Sequence, residues 1–111
     1  MMNKPESLNI LGITYRIIYF DSPVEVDLLK RESLWGLVDY WDRTIRIYDN
    51  GRKPEDIWEV ILHEVLHAIG NQLKLQILDC GDDKDEHKHD ELDILAMALF
   101  DTLSRNNLLK V

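Results

Sequence analysis

With 111 residues and an apolar share of 45%, the chain has the makings of one globular domain, with a single modest core and an open groove rather than a deep cleft between lobes. Thirteen Lys and Arg against 21 Asp and Glu give a net charge of −8, which argues against a nucleic-acid partner because phosphate contacts need clustered cations. The lone cysteine, Cys80, excludes an intramolecular disulfide and a thiolate-rich zinc site.

The start, Met1 to Glu6, is polar, and no apolar run approaches the roughly 20 residues of a membrane span, so neither a signal peptide nor an anchor is expected and the location expected is cytoplasmic. Residues 8–20 are rich in β-branched and aromatic side chains, with Ile13, Tyr15, Ile17 and Tyr19 in alternation, and predict a first strand. Asp21, Ser22 and Pro23 end it, and 24–31 is compatible with a short helix. Residues 36–48 predict a hairpin, with Leu37, Val38 and Tyr40 on one arm, Thr44, Ile45, Ile47 and Tyr48 on the other, and Trp41, Asp42 and Arg43 at the bend. The three tryptophans, Trp35, Trp41 and Trp58, are expected as core anchors rather than groove walls.

From Pro54 the period changes to that of a helix. Proline suits the first turn, Glu55 and Asp56 complement the helix dipole, and Ile57, Val60, Ile61, Val65, Leu66 and Ile69 recur at three- and four-residue spacing up to Gly70, read as the stop. The polar stretch from Cys80 to Asp90 predicts a loop, whose Asp82, Asp83, Asp85 and Glu86 read as a solvated run. A last amphipathic helix over 90–104 is carried by Leu92, Leu95, Leu99 and Leu103. Together these elements give an α+β fold in a single domain spanning 1–111.

The motif that carries chemistry is His63-Glu64-Val65-Leu66-His67. Four residues advance a helix slightly more than one turn, so both imidazoles emerge on one side and can converge on a single cation, while Glu64, about 100° round the helix, can reach water beside it. The uncharged flanks predict a buried helix, and a buried imidazole pair and carboxylate are costly without a partner that a metal would supply. Zinc at a catalytic site takes three protein ligands and an open position. Gly70 follows His67 as in the longer H-E-x-x-H-x-x-G-x-x-H pattern, but Leu73 stands where its last histidine would be, so the third ligand lies elsewhere. The candidates are His87, His89, Asp90, Glu91 and Asp93; Glu91 shares the face of Leu95, Ala98 and Thr102 beside the leucine stripe and is expected to point inward. His87 or His89 could instead hydrogen-bond substrate or an oxyanion.

On the residues VILHEVLHAI (60–69), the preceding strand and hairpin, and the acid-led HDELDILAMAL (89–99), the chain resembles the zincin metallopeptidases, in particular the smallest gluzincin-like members and the compact HExxH domains of phage and bacterial genomes. The resemblance implies a small mixed three-stranded sheet, an HExxH active-site helix and a C-terminal helix packed beneath it. It implies Zn2+ held by His63, His67 and Glu91, while a similar likeness to SprT-like domains would give the third place to His87 or His89. An aspartate usual in gluzincins is replaced by Leu95, so an outer partner for a ligand histidine would come from another residue such as Asp93. The activity implied is zinc-dependent hydrolysis of a peptide or protein substrate, with Glu64 as general base and an extended substrate paired to an edge strand, for which 44–49 is the expected arm. The alternative is a non-catalytic metal-binding regulatory or protein-interaction module on the same fold; a third reading is a metal-free protein with two packed histidines.

Overall fold

The computed structural model describes residues 4–75 and 86–106, the side chains of 86–90, 104 and 105 excepted. In chain order the elements are β1 (Ser7–Ile10), β2 (Ile13–Phe20), α1 (Pro23–Val26), β3 (Gly36–Asp39), β4 (Thr44–Tyr48), α2 (Pro54–Leu73) and α3 (Glu86–Arg105). The fold is a small mixed α+β arrangement with a four-stranded sheet rather than a three-stranded one. The extra strand arises because 8–20 is not continuous: Leu11 and Gly12 take positive φ values of 54° and 88°, and the Asn9 side-chain oxygen accepts the Gly12 N–H at 2.8 Å. Two consecutive positive-φ residues turn the chain sharply enough for β1 to fold back on β2, with Leu8 opposite Tyr15.

The strand order is β1-β2-β4-β3, antiparallel at both ends and parallel in the middle, where Ile17 stands opposite Ile45 and Tyr19 opposite Ile47. The hairpin expected at 36–48 forms, with Val38 opposite Ile45 and the Asp39 carboxylate accepting the N–H groups of Trp41 and Asp42 across the bend. Its second arm, however, is not an edge. Ile45 and Ile47 are wholly buried, so the more apolar arm is drawn to the sheet centre beside β2, and β3 is left as the edge strand.

The core lies between the sheet and α2, where Ile17, Val38, Ile45 and Ile47 meet Ile57, Trp58, Ile61 and Ala68. A second cluster, Leu66 with Leu92 and Ala96, joins α2 to α3. On the other side of β4, Arg46 donates to the carbonyls of Glu25 and Val26 at 2.8 Å each and so ties down α1. That helix is shorter than the 24–31 expected, because the Asp27 carboxylate gathers the N–H groups of Leu29, Arg31 and Glu32, a turn geometry that competes with helix.

Helix α2 starts at Pro54 but runs through Gly70 for one more turn. It stops where Lys74 turns left-handed at φ 55° and the Leu75 N–H reaches back to the Gly70 carbonyl at 2.9 Å. Helix α3 begins at Glu86, earlier than expected, so the end of the polar stretch is helical; residues 76–85, including Cys80, lie outside the described part. Its inward stripe is Leu92, Ala96 and Phe100, whereas Leu95, Ala98 and Thr102 are exposed. Of the tryptophans only Trp58 is a core anchor, with Trp35 exposed and Trp41 at the hairpin tip 97% exposed. No helix among the described residues is long and apolar enough to cross a membrane.

Ile61 is wholly buried where α2 crosses the sheet. Replacing it with alanine leaves a cavity between two layers that cannot collapse independently, so Ile61→Ala is expected to lower the unfolding free energy by roughly 2–5 kcal/mol in denaturant titrations. A loss below about 1 kcal/mol would contradict this account of the core.

Candidate metal centre

Helix α2 turns its apolar stripe to the sheet and an adjacent stripe toward the edge strand, and His63 and His67 stand on the latter, one turn apart. Their rings meet edge to face with centroids 4.7 Å apart, and the two Nε2 atoms are 2.9 Å from each other. Lone pairs converging at that spacing can bind one cation at about 2.0–2.1 Å each, as zinc requires. The same spacing suits an N–H···N bond when the pair holds a proton instead. Neutral imidazole nitrogen is a donor suited to zinc, so the pair fits that ion as two of its ligands.

Asp93, from the facing side of α3, places Oδ1 2.7 Å from Nδ1 of His63. A carboxylate there favours the proton on Nδ1 and so leaves Nε2 with its lone pair as the donor atom, the arrangement by which outer carboxylates orient ligand histidines. Glu64 is 7% exposed, between the histidine stripe and the core. It rests against Gly36 of β3: a Cβ on that glycine would lie 2.6 Å from Val60 Cγ1 and 3.0 Å from Glu64 Oε2. Only glycine permits so close an approach, and it brings the edge strand alongside the carboxylate.

These groups open into a groove of about 920 Å³ between the edge strand, α2 and α3. Gly36, Leu37 and Val38 form one wall, and Asp56, Glu59, His63, Glu64 and His67 form the opposite one. Tyr40, just past β3, lines the same groove and donates its hydroxyl to the His67 carbonyl at 3.3 Å, joining the hairpin to the histidine turn.

The structure thus brings His63, Glu64 and His67 together with Asp93, but it does not bring Glu91 to them. With the inward stripe on Leu92 and Ala96, Glu91 is exposed and lies about 200° round the helix from Asp93. Among the described residues no group of three or more His, Cys, Asp or Glu is arranged to hold a metal. The side chains of His87, His89 and Asp90 are outside the described part. Gly36, Tyr40, Asp56 and Glu59 carry no sequence signal as groove residues: the first two read as hairpin, Asp56 reads as helix start and Glu59 has no reading of its own, and only the tertiary packing of β3 with α2 collects them.

Burial, with the Asp93 carboxylate adding to it, pushes the Glu64 carboxyl from 4.5 up to about 8. In the metal-free protein the folded state therefore keeps a proton that the unfolded chain has released, and stability falls as pH rises between those values. Chelator-treated protein should lose stability on the order of a few kcal/mol between about pH 5 and about pH 8, and Glu64→Gln should flatten that slope in thermal melts. An unchanged slope in the variant would assign the effect to other groups.

No protein-family model, curated protein or solved structure matches this chain, and the reading of the site rests on the geometry of its residues.

Proposed function

We propose that the chain hydrolyses peptide bonds, with zinc held by His63 and His67 and with Glu64 as general base. The observation that carries this reading is the convergence of two Nε2 atoms 2.9 Å apart beside a buried carboxylate, all three opening into a groove bounded by an edge strand. Zinc bound there supplies Lewis acidity, a lowered pKa for water and a positive charge that favours the ionised form of Glu64.

The remaining work falls to the chain itself. An extended substrate adds to the outer edge of β3, the last strand of the sheet among the described residues, across the groove from α2. Glu64 accepts the proton of the attacking water and returns it to the leaving amine. Its burial keeps the carboxylate from being levelled by bulk solvent, and Gly36 fixes one side of its range. Asp93 orients His63 through Nδ1.

For the third donor the choice lies between Glu91 and a histidine at the start of α3, His87 or His89. Position 89 precedes Asp93 by one turn of α3 and shares its face by helical period, whereas Glu91 is exposed elsewhere on the helix. In zinc titrations His89→Ala should weaken binding by more than the roughly 10- to 100-fold that an outer partner is worth, with a smaller effect for Glu91→Gln. The reverse order would give the third place to Glu91.

The general-base role is tested separately from metal binding. The wild-type chain should hold one equivalent of zinc after dialysis near pH 7.5, and Glu64→Gln should retain that zinc while hydrolysis of unfolded protein substrates drops by at least about 100-fold. Less than about one tenth of an equivalent of zinc in the wild type would remove the metal from the account. Full zinc with no hydrolysis in either protein would leave a metal-binding interaction module.

A further inference from the structure

We infer that the groove selects substrates carrying a basic side chain two or three residues from the bond that reacts, and that Asp56 and Glu59 are the side chains that recognise it. This rests on the hydrolytic reading of the groove and adds the class of substrate.

Among the described residues the lining carries five carboxylates, those of Glu32, Asp56, Glu59, Glu64 and Asp93, against Arg52 as its one Lys or Arg. The guanidinium of Arg52 is stacked over the Trp35 ring with its carbon 4.1 Å from the ring centre, at the end of the groove near the start of α2. Asp56 and Glu59 are half-buried, unlike the exposed Glu55 beside them, so they are not simply a solvated helix start. Burial first, then the charges of Asp56 and Asp93, pushes the Glu59 carboxyl upward against the pull of Arg52. A cation arriving among these groups relieves that repulsion.

Two further features make the groove more than an acidic surface. Glu64 is over nine-tenths buried, lines the groove and has no hydrogen-bond partner among the described residues, so a built polar group faces the space a ligand would fill. The spacing is also that of a peptide. At 1.5 Å of rise per residue, Glu59 and Asp56 lie about 6 Å and about 10 Å along α2 from His63. An extended chain advances about 3.3 Å per residue, so a peptide on β3 spans that distance in two or three residues. A Lys or Arg side chain there meets both carboxylates, whereas an acidic one meets repulsion.

The test starts with short randomised synthetic peptides digested by the zinc-loaded chain and read by mass spectrometry for cleavage position. A matched trio carrying Lys, Gln or Glu at the indicated position then gives kcat/KM ratios, and the same trio is titrated against Glu64→Gln to read binding without turnover. The expected result is a Lys over Gln preference of about 10-fold that shrinks with added salt, and that falls to near one in an Asp56→Asn/Glu59→Gln double variant. Because each ratio is taken within one protein, a partly folded preparation cancels out. A wild-type ratio near one, or a ratio unchanged by the double variant, overturns the inference while leaving hydrolysis standing. Absence of cleavage for every peptide counts against the hydrolytic reading instead, and the binding ratios on Glu64→Gln still decide the charge preference.

Discussion

The burial of one stripe of α2 against the sheet constrains everything else in the molecule. Ile57, Ile61 and Ala68 lock the helix to Ile17, Ile45 and Ile47, and this fixes its rotation about its own axis. Once that rotation is set, a residue on the neighbouring stripe has no freedom to face the core. Asp56, Glu59, His63 and His67 are therefore delivered to the side where β3 runs, and Glu64 falls at the seam between the stripes. A helix packed about 100° differently would place the imidazoles in the core or the carboxylate in solvent. The same apolar packing that stabilises the domain thus aims its polar chemistry.

The polar groups in turn depend on the packing around them. A carboxyl as buried as Glu64 would be held in its neutral form by desolvation, and Asp93 pushes in the same direction. Asp93 also stands against His63, where its charge favours one tautomer of the ring. One exposed aspartate on α3 therefore bears on both the donor atom of His63 and the proton of Glu64, although it belongs to the outer helix. Among the described residues that helix packs mainly on α2, while Phe100 joins the main cluster.

Much of this is legible in the sequence. Strong periodicity between Ile57 and Ile69, with Pro54 at the start, marked α2, and the arms and bend of the hairpin were readable from alternation. Spacing of four residues put His63 and His67 on one side of the helix. What was not legible depended on choices made between distant segments. The run 8–20 hid a turn because Leu11 supplies a positive φ that leucine rarely adopts. The order of strands turns on which hairpin arm offers the larger apolar residues to the core, Ile45 and Ile47 of β4 against Val38 and Gly36 of β3. On α3 the leucines suggested a stripe through Leu95, but the small Ala96 fits against α2 and Leu95 stays 40% exposed. That shift of one position turns the helix by about 100° and exchanges the apparent roles of Glu91 and Asp93. Gly70, read as a stop, is instead buried within the helix, where its small size is compatible with close packing.

The missing side chain at Gly36 has a consequence for the entropy of the site. With the strand backbone pressed against it on one side and the hydrophobic core on the other, the Glu64 carboxylate loses most of its rotational freedom when the protein folds. The ordering cost of a long acidic side chain, up to about 1.5–2 kcal/mol, is thereby met at folding and need not be met again when a ligand enters. A bare stretch of backbone can in this way make a neighbouring acid ready to act.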